Sequence, residues 1–134
     1  MDEALVVDAN PILSAFLGGA ARDVIFSRRF ILNSTQHTLF EVAKYLPRLA
    51  VKLGQPELEV FRAFQLLPIL AHQPDKYRSC LATARDLIGR RDPKDIDILA
   101  LTLQLACPIW TEDRDFENLS GIEVRKTADL LRLL

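Results

Sequence analysis

Two aspartates follow short apolar runs that are typical of buried strands. Asp8 comes directly after residues 4–7, and Asp113 lies just past residues 109–111. In parallel sheets the carboxyl ends of the strands meet at one edge, and the helices that follow begin there. We therefore expect both carboxylates to lie at that edge, where the residues of α/β proteins that bind ligands or do chemistry gather.

Two further acids belong to helices that begin at or near the same edge. Asp95 lies in the first turn of a helix predicted to open at Asp92 and Pro93. Glu41 follows Ser34 by seven residues, about 10 Å along its helix, and helical side chains lean toward the N-terminus. The sequence therefore predicts that four carboxylates share one pocket.

Four carboxylates in one pocket repel one another, so they must either take up protons or hold a cation. Mg²⁺ and Mn²⁺ suit a site made only of oxygen atoms. Such a site supports metal-assisted phosphoryl displacement, in which water is activated and the charged transition state is stabilised. A phosphate-binding loop is not indicated, because Gly18 and Gly19 lack the lysine and spacing of a P-loop.

The elements that must position these acids alternate between strand and helix. This alternation predicts an α/β fold, a three-layer sandwich with a mostly parallel central sheet. Asn10 is the predicted cap of the first helix, and Pro47 is expected to interrupt or kink a longer helix capped by residues 33–35. The predicted strands cover residues 4–7, 28–32, 67–70, 108–111 and 122–124.

Length and composition predict one globular domain, residues 1–134. The chain has 134 residues, of which 49% are hydrophobic and 26% charged, which argues against disorder. No apolar run approaches the ~20 residues of a membrane helix, and the acidic start is unlike a signal peptide. Two cysteines cannot form a disulfide framework or a cysteine-based zinc site, so we expect a cytoplasmic protein with no membrane contact.

The charge balance neither supports nor excludes a nucleic-acid substrate. The net charge is −1, and setting four acids aside as metal ligands leaves a mildly basic remainder. Arg91, Lys94 and Arg114 adjoin the acids in sequence. At the rim of an acidic cleft these cations could bind phosphates of a substrate, and they could equally form a solvated face.

The order of the acids, from a strand-end Asp through a helix Glu and a helix-start Asp to a strand-end Thr-x-Asp, resembles the PIN-domain nucleases. That group includes the toxin ribonucleases of VapBC-type toxin–antitoxin pairs. The resemblance extends from Leu5 to about Val124 and is fairly specific as a set. It is carried by residues 6–10, 39–42, 91–95 and 110–116.

Transferred position by position, the resemblance implies a role for each acid. The implied catalytic residues are Asp8, Glu41, Asp95 and Asp113, with Asp8, Asp95 and Asp113 as metal ligands and Thr111, Asp115 and Asp92 in supporting roles. Asp97 stands where the family pattern commonly has an apolar residue. Asp92 shares a helix face with Asp95 while Asp97 points away, which favours Asp95 as the ligand. Whether Asp92 or Asp97 shares that role stays open.

The resemblance implies a Mg²⁺- or Mn²⁺-dependent endoribonuclease, usually a homodimer, which as a toxin is held by an antitoxin protein. One alternative is a non-catalytic PIN-type module that binds RNA or a protein. A second is an acyl-phosphate protein, such as a phosphatase or receiver domain, which also places Asp at strand ends. Those proteins usually carry a Lys on a later strand, and the last two predicted strands contain none.

Overall fold

A five-stranded parallel sheet forms the centre of the molecule in a computed structural model that describes residues 3–88 and 92–134. The strand order is β3-β2-β1-β4-β5, and every pairing is parallel. The strands are β1 (Glu3–Val7), β2 (Phe30–Thr35), β3 (Ile69–His72), β4 (Ile109–Trp110) and β5 (Val124–Arg125). The predicted α/β fold is confirmed, and each observed strand overlaps a predicted one.

Helices connect the strands and cover the sheet. They are α1 (Ala9–Phe16), α2 (Ala21–Phe26), α3 (Gln36–Leu53), α4 (Glu57–Gln65), α5 (Pro74–Tyr77), α6 (Leu81–Ile88), α7 (Ile96–Leu105) and α8 (Thr127–Leu131). Short 3-10 turns occupy Arg78–Cys80, Pro93–Asp95 and Arg114–Phe116. Among the helices of the described residues, none is both long enough and apolar enough to cross a membrane.

The alternation of side chains along β1 divides the interior into two apolar clusters. Leu5 and Val7 pack with residues of α1, α2 and α3, whereas Val6 packs with α6 and α7. Residues 98–101 of α7 are all buried, which explains why this helix is apolar on nearly every side. The sheet is therefore covered on both faces, as parallel sheets usually are.

Two predicted helix caps differ from the observed ones. Asp8, not Asn10, caps α1, because its carboxylate accepts a hydrogen bond from the Ala9 N–H at 2.8 Å. Asn10 lies inside the first turn, and its side-chain oxygen instead accepts from the Glu112 N–H at 3.3 Å. Asp8 therefore serves both as a helix cap and as a site residue. The sequence pattern does not show that one residue has both roles.

The predicted cap at residues 33–35 belongs mostly to a strand. Asn33 and Ser34 lie in β2, where their side chains donate to backbone carbonyls of the neighbouring β1 at 3.2 and 2.9 Å. Only Thr35 caps α3, through its hydroxyl oxygen and the Thr38 N–H at 2.8 Å. Of the two outcomes expected at Pro47, the interruption is wrong, since α3 continues through it to Leu53.

The strand order reverses direction beside β1, and this creates a crevice. The chain moves outward from β1 to β2 and β3, then returns to place β4 on the other side of β1. Ligand sites of open α/β sheets lie at this kind of switch point, outside the carboxyl ends of the strands. Val7 pairs with Trp110, so the next residues, Asp8 and Thr111, enter the crevice side by side.

Candidate active site

Asp8 and Thr111 form the fixed floor of the crevice. The Thr111 hydroxyl donates to Asp8 Oδ2 at 2.7 Å, while Asp8 Oδ1 accepts from the Ala9 N–H. Thr111 is fully buried and Asp8 is 7% exposed. The hydroxyl oxygen of Thr111 also accepts from the Asp113 N–H at 3.0 Å, so it connects the end of β1 to the loop after β4.

Three carboxylates converge beside this floor. Asp95, Asp113 and Asp115 each present an oxygen, and these oxygens all lie within 4.8 Å of one another. Asp113 is held by its loop, because its Oδ1 accepts from the Asp115 N–H at 2.9 Å. Asp95 comes from the other direction, at the last position of the 3-10 turn that leads into α7.

The surroundings of Asp95 disfavour its ionised form. Burial, followed by the negative charges of Asp8, Asp92, Asp113 and Asp115, raises its pKa to about 7. Its Oδ2 atom is buried and has no hydrogen-bond partner within the described part of the chain. A buried carboxylate oxygen without a donor is unfavourable, so this atom needs either a proton or a cation.

Asp8 has a raised pKa as well, but with a different balance of causes. Burial raises the pKa most, the hydrogen bonds from Thr111 and Ala9 lower it, and the charges of Asp113 and Asp92 raise it again. Asp8, Asp95, Asp113 and Asp115 thus repel one another in one partly buried pocket. A hard divalent cation fits this donor set, because all the available atoms are carboxylate oxygens.

Glu41 lines the crevice from α3 but stands apart from the three-carboxylate group. A cavity of about 250 Å³ is bordered by Asp8, Asn10, Glu41 and Lys94. The Glu41 carboxylate accepts a hydrogen bond from Lys44 at 3.1 Å, and this bond is the main reason that the pKa of Glu41 is lowered. Glu41 therefore stays ionised at the cavity wall.

The neighbouring acids Asp92 and Asp97 are engaged differently. Asp92 caps the 3-10 turn by accepting from the Lys94 N–H at 3.0 Å, and its charge helps to raise the pKa of Asp95. Asp97 Oδ2 accepts from the hydroxyl of buried Tyr77 at 2.5 Å. The Asp97 carboxylate is thus turned toward α5 and stands outside the acidic group.

The basic residues that adjoin the acids in the sequence do not lie together in the structure where they are described. Lys94 is exposed and lines the cavity with Asp8 and Glu41. Arg114 is exposed in the 3-10 turn that follows Asp113. Arg91 lies outside the described residues.

The structure adds two features to the site that the sequence predicts. The sequence assigns Asp115 a supporting role, and the structure places its carboxylate in the close group with Asp95 and Asp113. Tyr45 was not singled out, although it lines the cavity one helical turn after Glu41. The spacing of four residues along α3 is the signal that could have identified Tyr45.

Several solved structures share this fold at low sequence identity. One is VapBC2 from Rickettsia felis bound to a promoter DNA fragment, with a TM-score of 0.71 and 9% identity over 92% of this chain and 98% of that chain. A toxin–antitoxin complex from Klebsiella pneumoniae has a TM-score of 0.68 and 19% identity, over 92% of this chain and 97% of that chain. DNA-bound VapBC from Salmonella typhimurium has a TM-score of 0.67 and 20% identity, over 95% of this chain and 99% of that chain.

The comparison with protein families agrees with these structural neighbours. No curated protein matches the chain significantly. A family profile described as "PIN domain" matches residues 6–134, from the last two residues of β1 to the last residue of the chain. Because the match covers nearly the whole chain, the chain belongs to the PIN-domain family.

Proposed function

We propose that this protein is a divalent-metal-dependent endoribonuclease that hydrolyses RNA phosphodiester bonds and acts as the toxin of a type II toxin–antitoxin pair. PIN domains are generally nucleases, which supports a hydrolase. The observation that carries the proposal is the buried Asp95 Oδ2, an oxygen with no donor among the described residues, beside Asp113 and Asp115. A carboxylate in that state is poised to bind a cation.

The residues that would hold Mg²⁺ or Mn²⁺ are Asp8, Asp95, Asp113 and Asp115. A divalent ion bound there would lower the pKa of water and would offset the charge of the phosphate in the transition state. Thr111 fixes the orientation of Asp8 through its hydroxyl, and it holds the Asp113 backbone at the same time. A ligand fixed by such a partner keeps its geometry during the reaction.

Two residues at the cavity wall would act on the substrate and on water. Glu41 remains ionised because its pKa is lowered, so its carboxylate can accept a hydrogen bond from water in the cavity. Lys94 is exposed beside it and would contact a phosphate oxygen of the RNA. Arg114, exposed in the turn after Asp113, is proposed as a further phosphate contact. Arg91, outside the described residues, is proposed as another from its place in the sequence.

The remaining parts of the proposal rest on the family. The structural neighbours described as toxin–antitoxin complexes support an antitoxin partner for this chain as well. We also propose a homodimer, which the family resemblance implies, and a single domain over residues 1–134 in the cytoplasm, which length and composition predict. The acyl-phosphate alternative usually has a lysine on a late strand. Lys126 directly follows β5, but its ammonium group is paired with Glu117 at 3.1 Å, which argues against that role.

Cleavage of total RNA by purified protein with Mn²⁺ tests the function. Asp8→Asn and Asp95→Asn should each reduce the cleavage rate at least about 100-fold, because each removes a ligand charge from the site. Asp23→Asn provides the matched control, since it makes the same change at an exposed position on α2 and should leave the rate unaltered. Undiminished cleavage by folded Asp8→Asn protein would remove this mechanism.

A further inference from the structure

A groove runs between α1 and α3. One end of it is the cavity of about 250 Å³ bordered by Asp8 and Glu41, which we call the acidic cavity. The acidic cavity and a second cavity of about 290 Å³ share Leu13 and Tyr45 in their walls. The second cavity is also lined by Leu17, Arg48, Leu49 and Lys52. The two cavities are therefore adjacent, and we call the surface that they form together the α1/α3 groove.

One face of α3 forms a wall along the whole groove. Glu41, Tyr45, Arg48 and Lys52 are spaced four, three and four residues apart, so they lie along the same side of the helix. At 1.5 Å per residue, the distance along the helix from Glu41 to Lys52 is about 16 Å. This length is enough for a few nucleotides of an extended strand.

The far half of the groove combines cations with exposed apolar surface. Arg48 and Lys52 are exposed, and neither makes an ion pair or hydrogen bond within residues 3–88 and 92–134. Lys44 differs, because it pairs with Glu41 and lies over the Phe40 ring. Tyr45 and Leu17 are each nearly half exposed, which leaves an aromatic and an aliphatic face open beside the two free cations.

We infer that the α1/α3 groove binds the single-stranded RNA that flanks the scissile phosphate. Tyr45 stacks on a base, while Arg48 and Lys52 contact successive phosphates. An aromatic platform beside a positively charged track is the usual arrangement for binding single strands without sequence preference. The inference rests on the proposed nuclease function, because the acidic cavity forms one half of the groove.

The same geometry disfavours a duplex in the groove. Bases inside a helix are already stacked, so Tyr45 could not reach a base face without unpairing the strand. The groove therefore selects loops, ends and linear segments of RNA. It would also place the flanking strand so that one of its phosphates lies over Asp8 and Glu41.

Fluorescence anisotropy with a labelled eight-nucleotide RNA in EDTA tests the inference, since the RNA is not cleaved without a divalent ion. The doubly substituted R48Q/K52Q protein should bind about tenfold more weakly. Its slope of log K against log salt should fall by about 1.4, because each phosphate contact on a single strand contributes about 0.7. Y45L should bind at least about fivefold more weakly with the salt slope unchanged, since stacking carries no charge.

The matched control is R28Q/R29Q, which removes the same number of positive charges from exposed positions just before β2, at the opposite edge of the sheet. It should bind within twofold of the unchanged protein, and a blunt duplex of the same sequence should bind more weakly than the single strand. Thermal melting checks that every variant is folded. Equal loss of binding in the control would mean a general charge effect and would overturn the inference.

Three other results would also overturn it. They are the absence of RNA binding by the unchanged protein, unaltered binding by R48Q/K52Q and Y45L, and a fall in oligomer mass in those variants while RNA binding persists. The last result would make the groove an interface between copies of the chain. The nuclease proposal fails separately, if the unchanged protein binds RNA in EDTA but cleaves none when Mn²⁺ is added.

Discussion

Asp8 and Asp95 belong to the same crevice but have opposite local environments. Both oxygens of Asp8 accept hydrogen bonds, one from the Thr111 hydroxyl and one from the Ala9 N–H. Asp95 keeps a buried oxygen without a donor in the described residues, next to the carboxylates of Asp113 and Asp115. The fold thus satisfies the strand-end acid and leaves the helix-start acid in an unfavourable state.

The difference indicates which part of the site depends on a ligand. Asp8 is fixed by the register of β1 and β4 and by its role as a helix cap, so its position needs no cation. Asp95 gains most from a cation, because charge repulsion and burial both act against its ionised form. If this is correct, substitutions at the two positions should have different consequences for stability and for metal binding.

The largest expected difference is in the response to metal. Mn²⁺ at 100 times its dissociation constant should stabilise the unchanged protein by about 2.7 kcal/mol, since it binds only the folded state. Asp95→Asn should lose this stabilisation and melt at the same temperature with and without Mn²⁺. Melting curves at several Mn²⁺ concentrations measure the effect, with Asp23→Asn as the control.

No rise in melting temperature for the unchanged protein would favour the non-catalytic module. That alternative binds RNA or a protein without needing the acids as ligands. The unfavourable environment of Asp95 would then be a source of strain in the fold and not part of a metal centre.

The next effect is on stability without metal. The pKa of Asp95 is raised from 3.8 to about 7, so in EDTA the folded protein binds more protons than the unfolded chain between these values. The free energy of unfolding should therefore fall as the pH rises from about 4 to about 7, and then level off. We expect Asp95 to contribute about 2 kcal/mol of this fall, roughly half of the full shift, because the residue is only partly buried.

Urea unfolding at pH 5 and pH 8 in EDTA measures this dependence. Asp95→Asn should be more stable than the unchanged protein at pH 8 and should show a smaller loss between the two pH values. Some loss should remain, because the pKa of Asp8 is raised in the same direction. A pH dependence that is identical in Asp95→Asn and in the unchanged protein would contradict the unfavourable state of Asp95.

The smallest effect concerns the support of Asp8. Thr111→Val removes the hydroxyl that donates to Asp8 and accepts from the Asp113 N–H, and it should weaken Mn²⁺ binding by about tenfold. Thr111→Ser keeps the hydroxyl and should bind nearly as well as the unchanged protein. Titration calorimetry gives both affinities, and equal weakening by Val and Ser would point to packing of this buried side chain and not to its hydrogen bonds.

The sequence alone was sufficient for the architecture and for the edge where the acids meet. Residues 4–7 and 109–110 are continuous apolar runs that end in polar residues, and such runs read as buried parallel strands. The position of Asp8 followed directly from that assignment. The parallel order of the strands then brings Asp8 and Asp113 to one edge without further information.

The local sequence pattern does not determine which polar side chains form hydrogen bonds with which partners. Asn33 and Ser34 have side chains typical of caps, yet in β2 they donate to carbonyls of β1, a partner nearly thirty residues away in the chain. Asp97 is likewise engaged by Tyr77, twenty residues before it. The grouping of Asp115 with Asp95 depends on how the loop after β4 folds against the start of α7, which spacing does not encode.

The most direct test of the central claim is a crystal structure of the protein soaked in Mn²⁺, with anomalous scattering used to locate the ion. We expect an anomalous peak within coordination distance of Asp95 Oδ2 and of an oxygen from Asp113 or Asp115, about 2.1–2.3 Å away. A well-ordered crevice with no peak at saturating Mn²⁺, or with Asp95 Oδ2 turned to a protein donor, would contradict it.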